Sequence, residues 1–546
     1  MSIYDWIILI VVLLTIVIYG MYKSKSSKNL EGYFLSNRSM PWYLVLLSIM
    51  GTQASAITYL TGPGQAYTDG MRFVQYYFGL PLAMIVIAVF FVPVYNKLKV
   101  FTAYEFLEKR FDVKTRTFTS FLFLLSRGLS TGVSIYAPSL ILCSIMGWNI
   151  FYTNILMGGI LIVYTISGGS RAVAHTQKLQ MIIVFISLFL IGYIAVKMLP
   201  SNMNFMAAVN EAGSYGKMNV ITTGFTSKGF DWKDKYNIWS GLIGGFFLAL
   251  SYFGTDHSQV GRYLTAKSVK ESQKGLLMNG IVKVPMQFGI LLLGILIFTF
   301  YIYNKAPVYF DDANKEKALA TNYKDSLNIL ENNFTVATSK KDVLEVRANR
   351  TAYVKMVAVA LNDKNIKDTN FIFLRFVKDN LPIGLIGLLF AVIFLSAWGS
   401  IAGALNSLAA CSMIDFHKQF FQKKGEELND YKTSQWYTFG WGIFCIIIAM
   451  FAQNIGNSLI EAVNILGSIF YGVILGIFLV AFWVRHVQSN AVFIAALISQ
   501  IAVIAIYKAD VISFLWLNVI GALLVLALGI VIQIFSKTKL NNIADY

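Results

Sequence analysis

The stretch WYLVLLSIMGTQASAITYLT, residues 42–61, is long and apolar enough to cross a bilayer, but small and polar residues interrupt its centre. The interruption consists of Ser48, Gly51, Thr52, Gln53, Ala54 and Ser55. A helix that breaks at mid-membrane exposes backbone carbonyls, and such a break is stable only where it is buried in protein or lines a cavity. The stretch therefore predicts either a broken helix at a binding site or a helix whose small residues allow close packing.

The composition of the whole chain is typical of a membrane protein. Of its 546 residues, 56% are hydrophobic and 13% are charged, whereas soluble globular proteins carry about 25% charged residues. The net charge of +17 comes from basic residues that lie between apolar runs and form no single patch, so no nucleic-acid partner is expected. The three cysteines and four histidines are scattered, which argues against a metal cluster or a disulfide framework.

About thirteen apolar segments are long enough to span a bilayer, which predicts an all-α, polytopic membrane protein. They lie near residues 3–22, 42–61, 73–96, 117–146, 149–167, 177–199, 237–258, 277–303, 382–412, 436–453, 458–484, 489–508 and 512–535. Basic residues concentrate in alternate loops, and the positive-inside rule makes those loops cytoplasmic. We therefore expect a multi-pass protein of the plasma (inner) membrane, with its N-terminus outside and its C-terminus in the cytoplasm.

Two long connections, residues 200–236 and 304–381, are extracellular in this topology. The second has a helix-like stretch from Asp342 to Ala360, and we expect an ordered insertion there, not a separate domain.

The seventh span contains a second candidate break, at Ser251, Gly254 and Thr255. The two breaks begin two possible five-helix repeats, spans two to six and spans seven to eleven, and inverted repeats with broken first helices are typical of transporters. We expect the chain to divide into a first span and linker (1–41), a first repeat (42–199), a connection (200–236), a second repeat carrying the insertion (237–484) and two final spans (485–546).

The ninth span carries Ser396, Ser400 and Ser407 near one helical face. Hydroxyl and carbonyl oxygens are suitable ligands for sodium, which is a hard cation. By spacing alone, this face is equally well explained by tight helix packing.

Five ordered motifs in this chain resemble those of the sodium:solute symporter family, which includes transporters of glucose, proline, sialic acid, iodide and monocarboxylates. They are GYFLSNRSMPW at 32–42, FTAYEFLEKRF at 101–111, ISGGSRAVAHTQKLQ at 166–180, GRYLTAKSVKESQKG at 261–275 and GALNSLAACSMIDF at 403–416. The resemblance covers most of the chain. It implies the leucine-transporter fold, with spans two to eleven as the ten core helices, and sodium-coupled uptake of a small solute by alternating access.

The same resemblance implies a sodium site as the only metal site, with sodium as the coupling ion. Its ligands are the backbone carbonyls of Gly51, Ala54 and Ser396 and the side chains of two adjacent hydroxyl residues. Those two positions are Gly399 and Ser400 here, so one hydroxyl is missing. A serine in place of Gly399 is then expected to tighten sodium binding.

A family pattern that places an Asp at the ion exit reads Thr176-Gln177-Lys178-Leu179-Gln180 in this chain. The ligands of a further sodium site in some members correspond to Gln177, Ala402 and Gly403, so we expect no such site. An alternative is sodium-independent transport, proton-coupled or facilitative, with the Lys178 ammonium at the cation site. Otherwise Lys178 snorkels to the cytoplasmic interface.

The solute is expected to be a small anion, organic or inorganic, and not a sugar. The sugar-binding positions of the family are Thr58, Tyr77 and Ala249 here, and of that set only the lysine, Lys283, is retained. The stretch GVSIYAPSLIL at 132–142 is similar to the third core helix of anion-carrying members. Lys283, and with it Arg127, supplies positive charge. The candidate substrate-binding residues are Thr58, Tyr76, Tyr77, Ser130, Tyr252, Lys283 and Asn464.

Other classes of protein find little support in the sequence. No G-x-x-x-x-G-K-[ST] loop indicates an ATP-driven pump, and no triad or paired carboxylate indicates an enzyme. A receptor fused to a signalling module is also not expected, since the chain ends soon after the last span. The expected partners are the solute, sodium and the lipid bilayer; the sequence does not indicate an oligomeric state.

Overall fold

A computed structural model describes residues 2–23, 30–363, 367–421, 430–452 and 459–536. The described part of the chain is almost entirely helical. Its α-helices are α1 (Ile3–Lys23), α2 (Leu30–Leu35), α3 (Trp42–Gln53), α4 (Ala56–Asp69), α5 (Leu80–Val86), α6 (Val92–Lys97), α7 (Glu105–Arg110), α8 (Val113–Met146), α9 (Ile150–Lys197), α10 (Phe205–Ser214), α11 (Gly245–Gly254), α12 (His257–Leu264), α13 (Val269–Tyr303), α14 (Asp312–Leu319), α15 (Lys324–Ser339), α16 (Val343–Ala360), α17 (Ile372–Asn380), α18 (Leu385–Cys411), α19 (Asp430–Phe451), α20 (Leu459–Trp483), α21 (Ser489–Ala509) and α22 (Phe514–Phe535).

Shorter helical turns and one small hairpin complete the described secondary structure. The 3₁₀ turns are Ser36–Arg38, Gly70–Tyr77 and Thr369–Phe371, and the π-helical turns are Ile87–Phe91, Ser240–Gly244 and Ser412–Phe421. The strands β1 (Phe225–Thr226) and β2 (Gly229–Phe230) form an antiparallel hairpin in which Phe225 faces Phe230.

The predicted spans are helical over most of their described residues. Ten helical segments of the described chain are long and apolar enough to cross a membrane. Three shorter apolar helices, Trp42–Gln53, Ile150–Ile166 and Ser240–Gly254, lie within the remaining predicted spans. The prediction of an all-α, multi-pass membrane protein is confirmed.

Helix α9 contains two of the predicted spans, 149–167 and 177–199, and bends between them. The hydroxyls of Tyr164 and Thr176 lie 2.8 Å apart. In a straight helix these residues would be about 18 Å apart along the axis, which is too far for their side chains to meet. The bend therefore lies between Tyr164 and Thr176, where the sequence separates the two spans.

Both predicted helix breaks are present. Helix α3 ends at Gln53, Ala54 and Ser55 have ψ angles of 77° and 174°, and α4 begins at Ala56. Helix α11 ends at Gly254, and α12 begins at His257 after Asp256, whose ψ is 114°. The Asp256 carboxylate caps α12 by accepting a hydrogen bond of 2.8 Å from the Ser258 amide.

The first helix supports α18, which carries the predicted sodium ligands. The Asp5 carboxylate accepts hydrogen bonds from the amides of Gly384 and Gly387 at 2.6 and 3.2 Å. These amides belong to the first turn of α18, where backbone donors have no helical partner. A Cβ at Gly387 would lie 2.1 Å from the Asp5 carbonyl oxygen, so the close approach of α1 requires glycine there.

The described residues between 304 and 381 form helices that enclose a small hydrophobic core. Helices α14, α15 and α16 bury Tyr309, Leu327, Phe334, Tyr353 and Val357. The insertion also packs closely on α4. A Cβ at Gly64 would lie only 2.1 Å from the Thr369 carbonyl oxygen, so this approach requires glycine. A buried ion pair of 2.8 Å joins Arg350 on α16 to Asp368, which directly precedes Thr369.

Candidate functional site

A cavity of about 110 Å³ lies where the two broken helices meet. A single water needs about 10–15 Å³ on this scale, so the cavity has room for a small solute. Its wall is formed by Gln53, Ser55, Ile57, Thr58, Tyr76, Tyr77, Leu80, Arg127, Gly245, Leu248, Ala249, Tyr252, Phe253, Ile460, Val463, Asn464 and Tyr471. Five of the seven predicted substrate-binding residues line it: Thr58, Tyr76, Tyr77, Tyr252 and Asn464.

Aromatic rings and amides form one side of the cavity. The Tyr76 hydroxyl donates a 3.1 Å hydrogen bond to Asn464 Oδ1, which links the turn Gly70–Tyr77 to α20. Tyr76 is stacked on Phe73 at 5.7 Å and meets Tyr77 edge-on at 4.7 Å. These contacts fix the rings, so the wall is preformed with hydroxyl and amide groups available to orient a solute.

The two other predicted substrate-binding residues, Ser130 and Lys283, do not line the cavity. The Ser130 hydroxyl donates to the Ser126 carbonyl within α8 at 2.8 Å, so it is used by its own helix. The Lys283 side chain is fully buried behind Tyr77, with Nζ 5.6 Å from the centre of that ring. Nζ has no hydrogen-bond partner among the described residues.

A buried ion pair at the cavity involves a carboxylate that the sequence interpretation missed. Arg127 forms an ion pair with Asp256, and the Tyr471 hydroxyl donates to the same carboxylate at 2.8 Å. The Arg127 guanidinium also lies 5.2 Å from the centre of the Tyr252 ring. The available signal was Asp256 itself, since a carboxylate directly after a break in an apolar span is expensive and usually functional.

Gln177 lies between α3 and α18, the two helices that carry or border the predicted sodium ligands. Its Nε2 donates to Thr52 Oγ1 on α3 and to the Gly399 carbonyl on α18, at 3.1 Å each. Its Oε1 accepts a 2.8 Å hydrogen bond from the Ser48 hydroxyl. A neutral amide therefore joins the two helices at the position where the family pattern has a carboxylate.

Two glycines allow the Gln177 side chain to fit. A Cβ at Gly51 would lie 2.9 Å from Gln177 Cβ, and a Cβ at Gly399 would lie 2.5 Å from Gln180 Oε1 and 3.1 Å from Gln177 Cγ. The space that a hydroxyl at position 399 would need is thus filled by two glutamine side chains. The expectation that a serine in place of Gly399 simply tightens sodium binding is therefore at odds with the packing.

The hydroxyls of the neighbouring serines are satisfied within α18. Ser400 Oγ donates to the Ala397 carbonyl at 3.0 Å, and Ser396 Oγ donates to the Val392 carbonyl at 2.8 Å. A hydroxyl that donates to its own helix keeps lone pairs free to accept a cation. Both residues are buried.

Lys178 lies away from these residues. Its Nζ is 5.8 Å from the centre of the Tyr43 ring, and Tyr43 is 43% exposed at the start of α3. Tyr43 precedes Gly51 by eight residues, or about 12 Å of helix. This placement agrees with the snorkelling interpretation of Lys178 and not with a role at the cation site.

Comparison with known proteins identifies a close structural relative. A solved sodium-coupled sialic acid symporter, in a substrate-bound outward-open state, superposes with a TM-score of 0.78 at 21% identity and with 98% of each chain covered. This likeness establishes the fold.

Relatives by sequence carry different solutes. The sodium/sialic acid symporter NanT of Aliivibrio fischeri is 23% identical over 98% of this chain and 94% of its own length. The sodium/glucose cotransporter of Vibrio parahaemolyticus is 25% identical over 86% of this chain and 78% of its own length.

The family assignment rests on most of the chain. Residues 33–323 and 349–499 match the sodium:solute symporter family. The matched ranges contain both helix breaks, the cavity wall and the residues around Gln177. The chain therefore belongs to the sodium:solute symporter family, and its function is the sodium-coupled symport of a solute across a membrane.

Proposed function

We propose that the solute is a small monoanion, bound in the cavity between the two helix breaks. The observation that carries this proposal is the charge of the buried groups around the cavity. Arg127 pairs with the Asp256 carboxylate, and the buried amine of Lys283 has no hydrogen-bond partner among the described residues. With Lys283 protonated, these three groups sum to one positive charge. An uncompensated buried charge is costly, so a bound monoanion is stabilised by neutralising it.

The position of Lys283 fits an indirect role. Its Nζ lies 5.6 Å from the centre of the Tyr77 ring, and Tyr77 lines the cavity while Lys283 does not. A charge at this distance attracts an anion through a medium of low dielectric constant without contacting it. Direct contacts then come from the hydroxyls and amides of the wall, such as those of Thr58, Tyr76 and Asn464.

The apolar part of the cavity wall argues against a sugar. Sugar specificity depends on paired hydrogen bonds to several hydroxyls, which needs acceptors and amides around the ring. Here Tyr77, Leu80, Leu248 and Phe253 contribute large apolar surfaces to the wall. The relatives carry both kinds of solute, so this argument rests on the cavity of the present chain.

We place the coupling sodium between α3 and α18, at the carbonyls of Gly51, Ala54 and Ser396 and the hydroxyl of Ser400. The hydrogen bonds of Gln177 to both helices support this placement, since they bring the break in α3 against α18. With Gly399 lacking a side chain, the shell has few protein ligands, and we expect one sodium bound weakly.

The proposed domain division and membrane orientation are those that the sequence predicts. The two breaks begin repeats at residues 42–199 and 237–484, preceded by 1–41, joined by 200–236 and followed by 485–546. The N-terminus lies outside and the C-terminus in the cytoplasm of a plasma (inner) membrane. The insertion 304–381 is then extracellular.

The experiment is counterflow into proteoliposomes that contain the purified protein. Small carboxylates, including a sialic acid, are compared with halides and glucose, with and without sodium. We expect sodium-dependent counterflow of one anion. Sodium-dependent counterflow of glucose alone would refute the anion proposal.

A substitution then tests the charge argument. Lys283→Met should reduce anion uptake at least tenfold, because the buried charge that attracts the anion is lost. The control is Lys178→Met, which removes a lysine near Tyr43 and should leave uptake within about twofold of wild type. Equal uptake by both variants would contradict the role of Lys283.

A further inference from the structure

A buried arginine lies close to the proposed sodium site. Arg262, on α12, is 3% exposed. Its Nη2 donates to the Gly403 carbonyl of α18 at 3.0 Å, and its Nε donates to the Ser258 carbonyl at 3.3 Å. No carboxylate pairs with this guanidinium among the residues that the structure describes. Arg262 thus carries its charge into the interior with carbonyl oxygens as its partners.

The surroundings of Arg262 resemble a cation site in their chemistry. A Cβ at Gly403 would lie 3.3 Å from Arg262 Nη2 and 3.4 Å from Thr52 Oγ1. The guanidinium and this hydroxyl therefore both lie next to Gly403 on α18. Thr52 Oγ1 also accepts the hydrogen bond of Gln177. The oxygens gathered here are neutral carbonyls and a hydroxyl, the ligands that suit sodium.

We propose that the Arg262 guanidinium is a tethered cation that excludes a second sodium from the space between α3, α12 and α18 and weakens binding of the first. Gly403 follows Gly399 by four residues, about 6 Å along α18. The Arg262 guanidinium and a sodium ion at the proposed site are like charges in a buried region, where they repel more strongly than in water. The inference rests on the proposed sodium site in α3 and α18.

The test measures binding of radioactive sodium to the purified protein, which requires no knowledge of the solute. Arg262→Gln keeps a hydrogen-bond donor without the charge, and Arg262→Lys keeps the charge. We expect Arg262→Gln to tighten sodium binding about tenfold and Arg262→Lys to leave it within about twofold. Equal sodium affinities in these two variants would overturn the proposal.

A double variant tests the exclusion of a second ion. Arg262→Met with Gln177→Asp removes the guanidinium and adds a carboxylate, and it should bind one more sodium per chain than wild type. Gln177→Asp alone should bind no additional sodium, because the Arg262 guanidinium still opposes a second cation. An unchanged number in the folded double variant, or an additional sodium in Gln177→Asp alone, would overturn the proposal.

The outcomes also separate this inference from the placement of the sodium site. If Ser400→Ala leaves sodium affinity unchanged, the proposed site is wrong. The comparison of Arg262→Gln with Arg262→Lys still reports whether this charge opposes sodium, wherever the ion binds.

Discussion

Substituting Gly399 by serine sets two opposing effects against each other. The new hydroxyl supplies the oxygen that the sodium shell lacks. Its Cβ, however, would lie 2.5 Å from Gln180 Oε1 and 3.1 Å from Gln177 Cγ. Gln180 Oε1 has no hydrogen-bond partner among the described residues and is the end of a flexible side chain, so it can move. Gln177 is held by Ser48, Thr52 and the Gly399 carbonyl and moves less easily.

The two effects are similar in size. A sodium ligand gained in a buried site is worth roughly 1–3 kcal/mol, the cost of an unmade polar contact. Overpacking a well-filled interior costs typically 1–3 kcal/mol. We therefore expect Gly399→Ser to bind sodium no more tightly than wild type. If Gln180→Ala first creates space, adding Gly399→Ser should tighten binding about tenfold relative to Gln180→Ala alone.

Binding of radioactive sodium to the purified variants measures both effects. Circular dichroism and size-exclusion chromatography establish that each variant is folded. Gly399→Ser alone binding sodium more tightly than wild type would refute the packing argument. No gain in the Gln180→Ala background would instead refute the placement of the sodium ion beside position 399.

Three further outcomes are expected. Ser400→Ala should raise the sodium concentration for half-maximal binding roughly ten- to hundred-fold. The control is Ser139→Ala, which removes another buried hydroxyl bonded to its own helix and should leave this concentration unchanged. Equal effects of the two substitutions would contradict the ligand role of Ser400. Burial and the nearby Asp368 carboxylate raise the pKa of Asp311 to about 6, so the folded insertion holds this proton more tightly than the unfolded chain and loses stability as pH rises from about 4 to about 6. Hydrogen exchange of α14 should therefore be slower at pH 5 than at pH 7 after correction for intrinsic rates, and Asp311→Asn should reduce this difference; an unchanged difference would contradict the assignment. In a cysteine-free background, an impermeant thiol reagent should label Asn332→Cys and Lys97→Cys from opposite sides of the membrane, and labelling from the same side would overturn the topology.

The sequence predicts the fold well because the deciding signals are local. An apolar run of about 20 residues indicates a span wherever it occurs in the chain. Small and polar residues inside such a run indicate a break, and both breaks, at Ala54–Ser55 and at Thr255–Asp256, are found there. The bend in α9 also falls between two runs that the sequence separates.

The site is predicted less completely because its contacts join distant residues. Arg127 and Asp256 are 129 positions apart, and their pairing depends on how α8 packs beside the second break. Adjacent positions on a helix point about 100° apart, which is why Gln177 reaches α3 and α18 while Lys178 lies at Tyr43. The sequence supplies the candidates, but the direction of each side chain comes from tertiary packing.

The break between α3 and α4 provides a physical link between the ion and the solute. Gly51 and Thr52 belong to the side that meets Gln177 and α18, whereas Ser55 and Thr58 line the cavity. Only a few residues without helical hydrogen bonding separate the two sides. A sodium ion bound to carbonyls at the break would order the backbone of these residues. The solute would then bind to a wall that is already ordered, at a smaller cost in conformational entropy. Such coupling is reciprocal, so the bound solute must raise the affinity for sodium by the same factor.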